Sequence, residues 1–136
     1  MARKTQRARV DREKAGSYAA VADDFMKAAS LAAEHGYLTA AGLLYVHGGI
    51  AFADAVAIHI REVKSTSANH MDAVQLLRDV VAGSKERELA LGHLKHLIDE
   101  KSRVAYTGET LRRREVEALR KHAERFAAWS KDLLKS

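Results

Sequence analysis

The sequence predicts an all-α fold, an up-and-down bundle of about five helices, and three observations lead there. Apolar residues recur at steps of three and four along most of the chain. None of the 136 residues is a proline, so nothing interrupts long helices. No run alternates apolar and polar residues as a half-buried strand requires. A chain of this length suits one domain, and roughly two-thirds of its unfolded surface is available for burial.

The first fourteen residues, MARKTQRARVDREK, carry six Lys/Arg against two acidic residues and almost no large apolar side chain. Such a stretch has little with which to offset its ordering entropy, so residues 1–14 are expected to form a flexible basic arm. The folded domain is expected over residues 15–136. The arm is either a solvated tail or one that meets an acidic partner such as nucleic acid. It lacks the apolar run of a secretory signal. Cysteine is absent as well, which removes disulfides, thiolate metal sites and a cysteine nucleophile, and the expected compartment is the cytoplasm.

In the first helix Tyr18, Val21, Phe25, Ala28 and Ala32 fall on one face, and Gly36 ends it. The second, roughly 39–63, carries Leu43, Val46, Ile50 and Ile58 among alanines, with interior Gly42, Gly48 and Gly49. Interior glycine costs about 1 kcal/mol relative to alanine, so close approach of neighbouring helices is expected and this helix should be central. It is long enough to span a membrane, but an aspartate near mid-span costs about 3 kcal/mol, so no membrane association is expected. The polar stretch 64–69 suits a turn and a helix cap. A third helix follows from about His70, burying Ala73, Val74, Leu77 and Val81. Ser84 can cap a fourth, with Leu94, Leu97, Ile98, Val104 and Ala105 inward and Thr107-Gly108 as its end. Thr110 then caps a fifth, with Val116, Leu119, Ala123, Phe126 and Leu133 on its buried face.

Charge breaks these stripes in a few places. His47, Asp54 and Arg61 recur every seven residues and form one polar line on an otherwise apolar helix. Lys101 falls on the buried stripe of the fourth helix, where an unpaired ammonium is costly. A contact of Asp54 with Lys101 or His70 is therefore expected, either as a structural ion pair or as part of a ligand site. The loop before the third helix adds Lys64 and the hydroxyls of Ser65 and Ser67. These serve as ordinary caps or, with the free amides of the helix start, hold an anion. His93 and His96 have no third ligand at helical spacing, so no metal site is expected, and no cofactor either. Arg112, Arg113 and Arg114, with Arg120, Lys121 and Arg125, form either a solvated face or an RNA-facing patch.

The alanine-rich helix AAGLLYVHGGIAFADAVAIHI, the loop KSTSANH leading into DAVQLL, and the stretch KSRVAYTGETLRRREVEALRKHAERFAAWSKDLL resemble a HEPN-type helical domain. The similarity spans about residues 37–136. HEPN domains are helical bundles, commonly dimeric, that occur as ribonucleases, as toxin or antitoxin components, and as non-catalytic domains linked to nucleotide or RNA binding. Nuclease members carry an arginine followed after four to six residues by histidine, a spacing that Arg87 and His93 meet. On a straight helix these two side chains point about 120° apart. Lys101 to Tyr106 is instead similar to the basic-then-Ala-acidic-Tyr pattern of members lacking the nuclease motif, departing from it at Val104-Ala105.

The resemblance implies a self-associating, non-enzymatic module for a nucleotide, RNA or a protein partner. The expected site is Asp54, Ser65, Ser67, His70, Lys101 and Tyr106. The alternatives are a metal-independent ribonuclease using Arg87 and His93 across a dimer, and a purely structural dimerisation domain. The small-residue face of the second helix and the Trp129 side of the fifth both qualify as the dimer face.

Overall fold

The computed structural model describes residues 6–136. Strand β1 (Arg7–Arg9) leads through a 3-10 turn (Arg12–Lys14) into α1 (Ala15–Glu34) and α2 (Leu38–Arg61). Strand β2 (Val63–Ser65) precedes α3 (Met71–Val80), α4 (Lys85–Thr107) and α5 (Arg113–Leu134). The fold is an all-α bundle of five helices with one small two-stranded sheet.

Helix α2 is central and touches each of the other four helices. By length and hydropathy it could cross a membrane, yet 72% of its most apolar stretch is buried inside the bundle. Its glycines explain how neighbours come so close. A Cβ at Gly49 would lie 2.6 Å from Leu97 Cδ1, and one at Gly48 would lie 3.0 Å from Met26 Sδ. One at Gly42 would run into Leu111. Phe52, Ile58 and Phe126 are among the largest fully buried side chains, and Leu94 and Leu97 close the core from α4.

Local signals end the helices where the sequence places them. Gly36 and Gly108 adopt positive φ, 80° and 68°, which glycine tolerates without strain. Ser84 Oγ accepts from the Arg87 amide at 2.9 Å and caps α4.

Four expectations are corrected. The flexible arm expected over residues 1–14 is ordered from Arg7 onward, and residues 1–5 lie outside the described residues. β1 pairs antiparallel with β2, matching Arg7 to Ser65, Ala8 to Lys64 and Arg9 to Val63. Arg7 pairs with the distant Asp79 at 2.5 Å, and Arg9 with the nearby Asp11 at 2.6 Å and the distant Glu62 at 3.3 Å. Arg12 Nε donates to the His59 carbonyl at 2.6 Å. Backbone pairing and charge thus supply the order that apolar burial does not.

The buried face of α1 is also rotated from the expected one. Ala15, Ala22 and Ala29 are its buried residues, while Val21 is 48% exposed. At this seam Gly48 makes room for Met26 and the Ala22 backbone, so alanines and the flexible Met26 occupy it. In α4 the fully buried stripe ends at Ile98; Val104 is partly buried against the core, as expected, while Ala105 is exposed. Finally, α5 starts at Arg113 rather than after Thr110. Leu111 is buried against α2, its amide donating to Thr39 Oγ1 at 2.9 Å, which holds the preceding segment extended. The Glu115 carboxylate then caps the helix through the Arg112 amide at 2.9 Å.

Candidate functional site

A cavity of about 260 Å³ opens between α2, β2 and the start of α3, lined by Ile50, Asp54, Lys64, Ser65, Thr66, Ser67, His70 and Ala73. Four of the six residues expected from the sequence converge there: Asp54, Ser65, Ser67 and His70. Asp54 comes from the polar line of α2, one turn after Ile50. The loop is set by three consecutive side-chain turns. Ser65 Oγ accepts from the Ser67 amide at 3.4 Å, Ser67 Oγ from the Asn69 amide at 3.1 Å, and Asn69 Oδ1 from the Met71 amide at 3.0 Å. Each serine hydroxyl uses a lone pair inside the loop and keeps its proton to donate outward.

Lys64 is fixed from two sides. Its backbone pairs with Ala8 of β1, and its ammonium sits 5.2 Å from the centre of the Tyr18 ring. The N-terminal strand therefore buttresses the very loop that lines the cavity.

Electrostatics follow from burial and two ammoniums. Burial raises the Asp54 carboxyl from its ordinary 3.8 to about 6, and the Lys64 ammonium works against that rise. The expected ion pair of Asp54 with Lys101 is absent; no ion pair reaches Asp54 among the described residues. Lys101 instead acts on the histidines: burial, and then its charge, lowers both His47 and His70. Both rings are thus neutral near neutral pH and able to donate from one nitrogen and accept at the other. His47, whose ring lies 5.6 Å from that of Phe25, extends this polar group along α2. Tyr106 does not belong to it. That side chain is 91% exposed in the last turn of α4, beyond the point where the helix leaves the core.

The alternative pair has other occupations. The Arg87 guanidinium caps α3, with Nη1 donating to the carbonyls of Arg78 at 3.1 Å and Val81 at 2.9 Å. His93 Nδ1 lies 2.9 Å from His122 Nδ1, and the His96 ring stacks on that of His122 with centres 4.5 Å apart. Sequence spacing alone does not reveal His122 as their neighbour, because it comes from a different helix. Among the described residues no group of three or more His, Asp or Glu is arranged to hold a metal ion.

Of the expected basic face Arg112, Arg113, Arg114, Arg120, Lys121 and Arg125, only Arg120 is ion-paired among the described residues. Arg120 bridges Glu117 and Glu124, and Arg103 joins Glu100, Glu109 and Glu115. Arg112, Arg113 and Arg114 lie exposed at the start of α5. Trp129 is half-buried, its ring 5.6 Å from Phe126, so it serves the core rather than an open face. Compared with models of protein families, with curated proteins and with solved structures, the chain matches none. Fold and cavity together define a helical bundle with a small polar cavity at the junction of its central helix and the short sheet.

Proposed function

We propose that the chain is a non-enzymatic, HEPN-like binding module that takes a nucleotide in the cavity between α2, β2 and α3. The observation that carries this reading is the convergence of Asp54, Ser65, Ser67 and His70, from three separate segments, on one cavity together with Lys64. Lys64 lines it and Lys101 acts on His70 from α4, against the single carboxylate of Asp54. That balance favours an anion. The free protons of Ser65 and Ser67 and the neutral His70 ring add donors suited to phosphate oxygens. A binding role is further supported by Arg87 and His93, whose side chains are engaged with α3 carbonyls and with His122 respectively. The HEPN part of the reading rests on the sequence resemblance over 37–136 and on the five-helix bundle. Self-association belongs to the same reading, and sedimentation equilibrium measures it.

Calorimetric titration of the full chain with nucleoside monophosphates and with inorganic phosphate tests the proposal. Binding that weakens at least roughly tenfold in Lys64→Met, with an unchanged melting profile, is expected. A short RNA oligonucleotide is a third probe, in the presence of EDTA. If the RNA were cleaved, and cleavage were lost in both Arg87→Ala and His93→Ala, the ribonuclease reading would replace this one.

A further inference from the structure

Asp54 is the one group lining the cavity whose chemistry phosphate recognition does not use. Asp54 lines the cavity and receives no hydrogen bond from the described residues; the Lys64 ammonium acts on it by charge, and Ile50 and Ala73 supply apolar surface on the same wall. This half-buried carboxylate keeps some contact with solvent but has no donor among the described residues, so a ligand that brings donors can replace water there. The wall thus sets an acceptor-only group and apolar surface beside an ammonium and two hydroxyls. A flat ring with a donor edge, carrying a phosphate, complements both parts. The volume of about 260 Å³ lies below the roughly 300–1,000 Å³ typical of pockets for drug-sized ligands. A cavity of this size suits a single mononucleotide rather than an oligonucleotide.

We propose that the cavity selects guanine mononucleotides, with Asp54 accepting from the N1–H and the 2-amino group of the base while Lys64, Ser65 and Ser67 hold the phosphate. This inference rests on the nucleotide reading above. Guanine alone among the four bases offers two adjacent donors to the two oxygens of one carboxylate. Adenine and cytosine each set a ring acceptor beside their amino group, and uracil sets carbonyls on both sides of its N–H. An acceptor facing a carboxylate leaves both desolvated and unpaired, which is the arrangement that discriminates most strongly between similar ligands. Because burial raises the Asp54 carboxyl to about 6, a solution near pH 8 holds it ionised and one near pH 5 protonates it. The carboxylic acid, with one donor and one acceptor, no longer matches guanine.

The test is calorimetric titration of the full chain at pH 8 with GMP, AMP, CMP, UMP and inorganic phosphate, on wild type, Asp54→Asn and Lys64→Met. GMP is expected to bind roughly tenfold or more tighter than the other three. In Asp54→Asn that preference should disappear, while inorganic phosphate, no longer repelled by the carboxylate, should bind at least as tightly as in wild type. In Lys64→Met all nucleotides and phosphate should weaken together. Equal affinity for the four nucleotides, or a guanine preference that survives in Asp54→Asn, would overturn the guanine assignment and leave the nucleotide reading standing. No binding of any nucleotide or of phosphate by wild type would overturn both. Circular dichroism and a cooperative melt for each variant separate loss of contact from loss of fold.

Discussion

Replacing Asp54 by asparagine removes one charge and keeps the side chain's shape, and its effect on stability can be worked out from the environment of the carboxyl. Burial raises that carboxyl from 3.8 to about 6, whereas in the unfolded chain it titrates near the ordinary value. Between those two values the folded state holds the proton more tightly, so the ionised form opposes folding. The penalty is absent below about pH 4, grows as pH rises through about 6, and stays constant above that. A rise from 3.8 to about 6 corresponds to about 3 kcal/mol at full ionisation. The asparagine amide must itself be buried, which leaves a net gain of about 1–3 kcal/mol for the variant. Urea denaturation of wild type and Asp54→Asn at pH 8 and near pH 4, in buffer free of phosphate, measures it. The variant should be more stable at pH 8, and the difference should shrink at the lower pH. A variant that is less stable at both pH values would refute the reasoning and make Asp54 a paired structural residue.

Three further outcomes are expected. Gly49→Ala drives a methyl to 2.6 Å from Leu97 Cδ1 in a packed core, and this overpacking should cost about 1–3 kcal/mol, lowering the melting temperature; in a Leu97→Ala background the same methyl should cost less, a coupling that a double-mutant cycle reads. Ala8→Pro removes a backbone donor from the strand that pairs with Lys64, so nucleotide affinity should fall while the melting temperature changes little, as calorimetry and circular dichroism would show together. Burial, followed by nearby positive charge, lowers His93 and His122, so their neutral forms favour folding; that contribution is complete above the unfolded histidine value of 6.5 and is lost as pH falls through it. Thermal melts from pH 8 to pH 5 should therefore decline for wild type and decline less for His122→Phe.

Much of this architecture is written in short-range chemistry. The apolar run of α2, the serine cap at Ser84 and the glycines at Gly36 and Gly108 act within a turn or two of themselves, and each sits where the sequence puts it. The sheet carries no such signal. β1 reads Arg-Ala-Arg, and its order comes from the backbone of β2 and from Asp79 and Glu62, partners more than fifty residues away. The face of α1 is a different case, because large apolar residues ordinarily mark the buried side of a helix. Here the seam with α2 is so close that alanines occupy it, and Val21 is left outside. The same distinction divides the site. Asp54 interrupts an apolar helix, and the hydroxyls and His70 cluster at a helix start, so both stand out locally. Tyr106 follows a stripe that fails after Ile98, and His122 meets His93 only through the packing of α4 on α5.

What the sequence does not disclose, the sheet makes functional. In the proposed nucleotide complex Lys64 meets the phosphate, and a lysine on a free loop would have to give up considerable side-chain and backbone freedom on binding. Here its backbone is already paired with Ala8, its ammonium already rests on Tyr18, and the serines that follow are already committed to successive turns. The loop is thus ordered before any ligand arrives, and the segment that orders it is the basic N-terminal strand. Arg7 of that strand pairs with Asp79, and Arg9 with Asp11 and Glu62, so part of its charge serves to seat the strand itself. A half-buried carboxylate without donors, set beside such a preordered loop, opposes folding until a ligand satisfies it. Stability alone therefore favours replacing Asp54, and in the proposed reading binding is the property that gives the aspartate its use.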